Sequence, residues 1–466
     1  MCFTGTQIAY RWLQMRTGRG EELFRFRGST MHETTQREAN AARGSHPGEF
    51  SSLSLWTMLT VVCLSACFGS ESFAQVVYPP NTIYDGPKNV PSLPRPGYLQ
   101  PIIDPVFGTK ITRISDESMG PSKPSRLQHH YSKDQPWNSD MTLIKLHAAE
   151  FILDAKTYQV INKQSSKNEP KWSTVDPDII FYVSGNQFRK WNVRTNADTL
   201  LHAFPEGNIS IGNYEGNISI GDKYVVLNVG PTLAIVYDIA NGVVISKKDI
   251  GAAASDWMSI SPSGNYVVLH SNTGGGVVVH DRNLNFLRKI FGHGSHADLG
   301  YDGSSNEIQA QVCTGKGRAR LDNGLMSELM PGFNECGHLS LRSYKRPGWA
   351  LKSGDGELYA IKLDGSGIVQ RFAHEHSSGA TYDSQPKGVI SPDGSKVMWN
   401  SDWGSGSVYA YVAEMPGNSG DTVPPAAPTD LRVTGILRTG LNPSLDASTD
   451  IANATGHLAS VVTLNH

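Results

Sequence analysis

Six times along this 466-residue chain a short apolar run stops at an aspartate or asparagine, turns, and gives way to another apolar run. The stops are Asp154, Asn192, Asp238, Asp281, Asp322 and Asp364. They recur about every forty residues, a period that helical and leucine-rich repeats can share, but here both arms of each unit read as strands and the joint reads as a hairpin turn. The chain is therefore patterned as a series of antiparallel β units.

Two further strand-like runs lie upstream of each stop. In the fourth unit Trp257 to Ile260 leads through Ser261-Pro262-Ser263-Gly264 into Tyr266 to Leu269, and then into Val277 to His280. Ser391-Pro392-Asp393-Gly394 is the same turn in the last unit: proline presets the φ of a turn's second position and glycine supplies a positive φ after it. With the run that follows the stop, each unit has four strands, the make-up of a β-propeller blade. A seventh unit, about Gln385 to Val412, has three strands and no stop. Lys110 to Ile114, far upstream, is an unpaired run of the right kind, and pairing it onto the last unit would close the ring and remove its open edges. The expected fold is all-β, a seven-bladed propeller over residues 110–415 closed by an N-terminal strand.

The flanks read differently. Residues 1–50 are polar and mixed in charge, and are expected to be disordered or to precede a misassigned start. Residues 51–74 read as a signal peptide, with an apolar stretch from Leu53 to Phe68 and small residues before a cut near Ala74. Leu64-Ser65-Ala66-Cys67 resembles a bacterial lipobox, and only lipidation of Cys67 would give peripheral membrane attachment. Residues 75–109 form a lead-in and 416–430 a Pro/Gly-rich linker; 431–466 resemble the start of a fibronectin type III module, truncated because such a sandwich needs about a hundred residues. The expected location is secreted, periplasmic or cell-surface. Cys313 and Cys336, the cysteines beyond the signal, are candidates for a disulfide that would fit this setting, with two buried thiols as the alternative.

A net charge of −2 without long charge runs gives no nucleic-acid footprint. Chemistry is sought instead where blades begin, because those positions converge on one channel mouth. They hold His129-His130-Tyr131, Lys171-Trp172, Tyr214-Glu215, Asp256-Trp257, Ser295-His296, Gly337-His338 and Ser384-Gln385-Pro386-Lys387. Three readings compete. The histidines serve as structural hydrogen-bonding groups between blades; or His130, His296, His338 and Gln385, or a subset such as His296, His338 and Gln385, hold a divalent ion, Mn, Ca or Zn; or the mouth binds a uronate polysaccharide and cleaves it by β-elimination. Elimination needs a cation to neutralise the uronate carboxylate, a base for the adjacent C–H and an acid for the leaving oxygen. Arg126, Arg342, Arg346 and Lys387 are the candidate clamps, and His130, Tyr131 and His338 the candidate acids and bases.

The turn at Ser391 to Gly394, followed by Lys396 to Asp402, resembles the repeat of TolB-type propellers. That repeat also occurs in secreted seven-bladed polysaccharide lyases, such as oligogalacturonate lyase and the propeller ulvan lyases. The resemblance spans about Lys110 to Glu414 and bears on fold. Oligogalacturonate lyases bind metal through three histidines and a glutamine. His338 and Gln385 fall in matching places, but the family's histidine pair would fall at Lys387-Gly388, and His374 and His376 lie earlier, on an expected surface loop. Ulvan lyases carry an early histidine pair, for which His130 and His147 are the nearest match; His147 is read as lying within an apolar strand. The expected protein is thus a monomeric extracytoplasmic propeller that binds an anionic polysaccharide, with lyase activity as one outcome. The alternative is a non-catalytic scaffold for a protein or cell-wall partner.

Overall fold

A computed structural model describes residues 76–251, 256–271, 275–404 and 406–417. The signal segment, Cys67, the leading residues 1–50 and the fibronectin-like tail lie outside the described residues.

Seven antiparallel sheets follow one another along the chain. The second to fifth are four-stranded and run in sequence order from an innermost to an outermost strand. Blade 4, Trp257–Ile260, Tyr266–Ser271, Gly276–Asp281 and Phe286–Phe291, shows why: its two central strands carry near-continuous apolar runs buried on both faces. Such runs suit sheets packed between neighbours, while the outermost strand is exposed over its first half and buried only at Ile290 and Phe291. In blade 1 the innermost position is reduced to one bridge, Trp137 to Ile144.

The ring closes as the missing seventh stop implied. Lys110–Arg113 pairs antiparallel with Tyr409–Glu414, in register from Lys110 opposite Glu414 to Arg113 opposite Tyr411. Across the seam, Asn400 Nδ2 donates to the His129 carbonyl at 2.8 Å and its Oδ1 accepts from the His129 N–H at 2.7 Å. One buried cluster joins Ile111, Trp137, Phe151, Phe372, Val397 and Tyr411, so blades 1, 6 and 7 share a core. The lead-in does more than expected. Ile102–Ile103 adds a fifth strand to blade 7, and Asn81–Ile83 a fifth strand to blade 6.

The outer turns have one local cause. Asp154 Oδ1 accepts from the N–H of Lys156 and Thr157 at 3.0 and 2.7 Å, and Asn192 Oδ1 likewise from Arg194 and Thr195 at 3.0 and 2.9 Å. Asp238, Asp281 and Asp364 accept from Asn241, Asn285 and Ser366. The fifth stop differs: Asn323, not Asp322, accepts the turn N–H, from Leu325 at 2.8 Å, and Asp322 pairs with Arg320.

A tandem duplication, Glu206 to Tyr214 and Glu215 to Gly221, forms the innermost edge of blade 3 twice. Ile209-Ser210 pairs with Val229-Asn228, and Ile218 bridges to Val225 of the same strand. Between them Gly212 has φ +56 and presses on blade 4 so closely that a Cβ would lie 1.8 Å from the Met258 carbonyl oxygen, which excludes any side chain there.

Candidate functional site

Tyr131, Lys133, Glu215, Trp257, His296, His338 and Lys387 come from six different blades and meet at the mouth where the innermost strands begin. His338 opens the first strand of blade 6 and is buried. The Tyr131 ring meets it edge-on at 5.3 Å, and the His296 ring stacks on it at 4.6 Å. Lys133 lies 3.9 Å over the Trp257 ring and pairs with Glu215, which the duplication brings to the mouth. Lys387, held at φ +49, lies 3.5 Å over the exposed Tyr382 ring.

Burial and charge set the protonation states. Burial, helped by His296 and Lys387, holds His338 well below the usual imidazole range, so it is a free base at neutral pH. Burial raises the Tyr131 phenol, which keeps its proton. Burial also lowers the Lys387 ammonium to about 8. The mouth therefore combines a neutral imidazole, a protonated phenol and a cation in one place.

The Cys313–Cys336 disulfide underlies this corner. Gly337 N–H points at the Cys313 sulfur at 3.4 Å, and the Gly337 carbonyl accepts from His296 Nδ1 at 2.5 Å. The bridge thus joins blades 5 and 6 beneath the two stacked imidazoles.

Other expected residues lie elsewhere. His130 turns from the His338 cluster, bonds Asp134 Oδ2 through Nδ1 at 3.1 Å, and stacks on His147 at 4.6 Å. His147 is not inside a strand; it starts a short 3-10 turn, His147–Ala149, because the strand Leu143–Lys145 ends before it. Arg342, expected on the rim, reaches down the channel wall, where Nε and Nη2 grip Asp298 at 2.9 and 2.8 Å. Arg346 stacks on Tyr78 and Trp349 and bonds Gln370 at 2.9 Å, so it too serves packing. His374 is not on a surface loop: it ends the last strand of blade 6, fully buried, with Nδ1 on Asp104 at 2.8 Å.

Sequence reasoning passed over His270. Its Nε2 accepts from Ser295 N–H at 3.1 Å, which leaves Nδ1–H to donate to Asp256 at 3.0 Å, and its ring stacks on Trp257. This is the structural use of histidine between blades. Nothing in the mid-strand run Tyr266 to Ser271 signals it.

A metal fits His296, His338 and Gln385 poorly in this arrangement. An imidazole lone pair lies in the ring plane, so two rings stacked 4.6 Å apart and within 14° of parallel are poorly placed to aim both lone pairs at one ion. Metal–nitrogen bonds are only about 2.0–2.1 Å. His296 Nδ1 is also taken by Gly337. Cys313 and Cys336 lie close enough to His296 to complete a ligand set, but their sulfurs are bonded to each other.

No family profile and no curated protein matches the chain. Solved structures do. An oligogalacturonate lyase in complex with manganese superposes with a TM-score of 0.51 at 16% identity, covering 69% of this chain and 97% of the other. The oligogalacturonate lyase of Vibrio parahaemolyticus superposes at 0.50 and 15% identity, with the same coverages. At such identity the likeness is one of fold. The chain is a seven-bladed β-propeller that shares its fold with these oligogalacturonate lyases.

Proposed function

We propose that the protein binds an anionic, uronate-containing polysaccharide at the mouth and cleaves it by β-elimination. The observation that carries this reading is the meeting of His338, Tyr131 and Lys387 at one mouth, each in the protonation state the reaction needs. Lys387 and Lys133 neutralise the uronate carboxylate, which acidifies the C–H beside it. His338 takes that proton, the C–H electron pair becomes the new C=C bond, and the C–O bond to the leaving sugar breaks. Tyr131 O–H protonates the departing oxygen. Tyr382, exposed beside Lys387, offers a ring face to the sugar. No step is routed through a metal. Fold likeness to lyases that act on oligogalacturonate supports the substrate class, and the disulfide supports an extracytoplasmic setting.

The test is incubation of the protein with a panel of uronate polysaccharides, with and without Mn²⁺ or Ca²⁺, while the absorbance of the unsaturated product is followed. A rise that disappears in His338→Ala is the expected result. Saturable polysaccharide binding without any unsaturated product would instead favour the non-catalytic scaffold.

A further inference from the structure

Along the channel from the mouth lies a partly open cavity of about 60 Å³, measured as the space open to the centre of a water molecule, walled in part by Lys171, Trp172, Tyr301, Arg342 and Tyr344. The charges on this wall do not cancel. Asp134 answers both Lys145, at 2.8 Å, and Lys171, at 3.6 Å, while Asp298 answers Arg342. Of the charged residues that line the cavity itself, Lys171 and Arg342 are cations and Asp134 is the one carboxylate. Burial pushes the Asp298 carboxyl up even beside Arg342, which can only enlarge the positive excess. Glu169, near Lys171, is turned away onto Ser210 Oγ and the Ile211 N–H, and burial raises its carboxyl. Asp222, partly exposed, is held by Ser173 and Thr174.

The excess cations also have unused donors. Lys171 is only 4% exposed, yet among the described residues its ammonium has no hydrogen-bond acceptor, and its one carboxylate partner sits at 3.6 Å. Arg342 engages Asp298 and the Leu299 carbonyl through Nε and Nη2, leaving Nη1 without a hydrogen bond among the described residues. Neither Lys171 Nζ nor Arg342 Nη1 is fully enclosed, so these donors stay open to an acceptor in the cavity. The rest of the wall, with Trp172, Tyr301 and Tyr344, suits a ring.

We infer that this cavity is a second ligand site, which takes a carboxylate carried on a ring, the carboxylate at Lys171 and Arg342 Nη1 and the ring against the aromatic wall. The inference rests on the channel wall alone and stands or falls separately from the reading of the mouth. A free aromatic acid and a single uronic acid share this chemistry.

Titrating the full chain by calorimetry and tryptophan fluorescence with benzoate against benzamide, and with galacturonate against galactose, tests it. At least one carboxylate binds saturably, about tenfold or more tighter than its neutral counterpart. Which of the two does so names the source. Lys171→Met removes that preference, Lys171→Arg retains it, and His338→Ala, at the mouth, leaves it within about twofold, since His338 does not line the cavity. Thermal melts confirm that each variant is folded, and Lys171→Arg keeps the test decisive if Lys171→Met is not. No saturable binding of either carboxylate, equal binding of acid and neutral analogue, or equal loss in His338→Ala would each overturn the inference.

Discussion

The outer turns and the inner mouth are opposite ends of the same blades, and they were built by different means. At the outer end an Asp or Asn oxygen accepts a backbone N–H two to four residues on, and the same solution recurs from blade to blade. At the mouth, Tyr131 meets His338 from across the ring seam, and Lys133 meets Glu215 only because a duplication lengthened blade 3. The turns make the fold and can be exchanged for one another; the mouth is made by the fold, and each residue there has a single place.

Variants can break this contrast. The largest effect is expected at the mouth, where His338→Ala should lower the rate of product formation by about 10²–10⁴-fold while a urea titration shows little change in stability. If stability falls with activity, the imidazole is a packing group and the contrast fails. The seam comes next, since Ile111 is fully buried and lies on the strand that closes the ring. Ile111→Ala should cost about 2–5 kcal/mol in urea unfolding. A cost well below that would mean that blade 7 is complete without its borrowed strand.

The pH profile sharpens the electrostatic side. His338 is already neutral, so no limb arises from it near pH 7, whereas Lys387 loses its charge as pH rises through about 8. Polysaccharide affinity should therefore fall above pH 8, and Lys387→Arg should move that fall to higher pH. An unmoved limb in the variant would assign the titration to another group.

The smallest effects lie at the outer turns. Asp154→Ala should cost about 0.5–1.5 kcal/mol, the worth of a turn hydrogen bond, and leave product formation unchanged. At the irregular fifth turn the order is reversed from the repeat pattern: Asn323→Ala should cost more than Asp322→Ala, whose pairing with Arg320 is largely exposed. Equal losses at the two positions would show that the hydrogen bond to Leu325 N–H does not hold that turn.

Legibility followed sequence separation. The blade count, the turns and the closing strand could be read because each depends on a period, a local hydrogen bond or an unpaired strand. Asn81–Ile83 was missed because three residues carry too little pattern to mark a strand. Arg342 is expected on the rim, but it lies beyond the strand His338–Ser340 and reaches Asp298 on the channel wall, a contact between blades that no local pattern marks. His147 and His374 were misplaced because short connections between strands leave no period by which to fix a boundary.

By itself the sequence determined the seven-bladed ring and its closure, since hydrophobic period and turn chemistry act over a few residues and repeat. Only the tertiary structure decided which side chains share the mouth and which cations line the channel with donors unused. Those outcomes depend on the rotation between blades and on burial, and neither is encoded in any short stretch of chain.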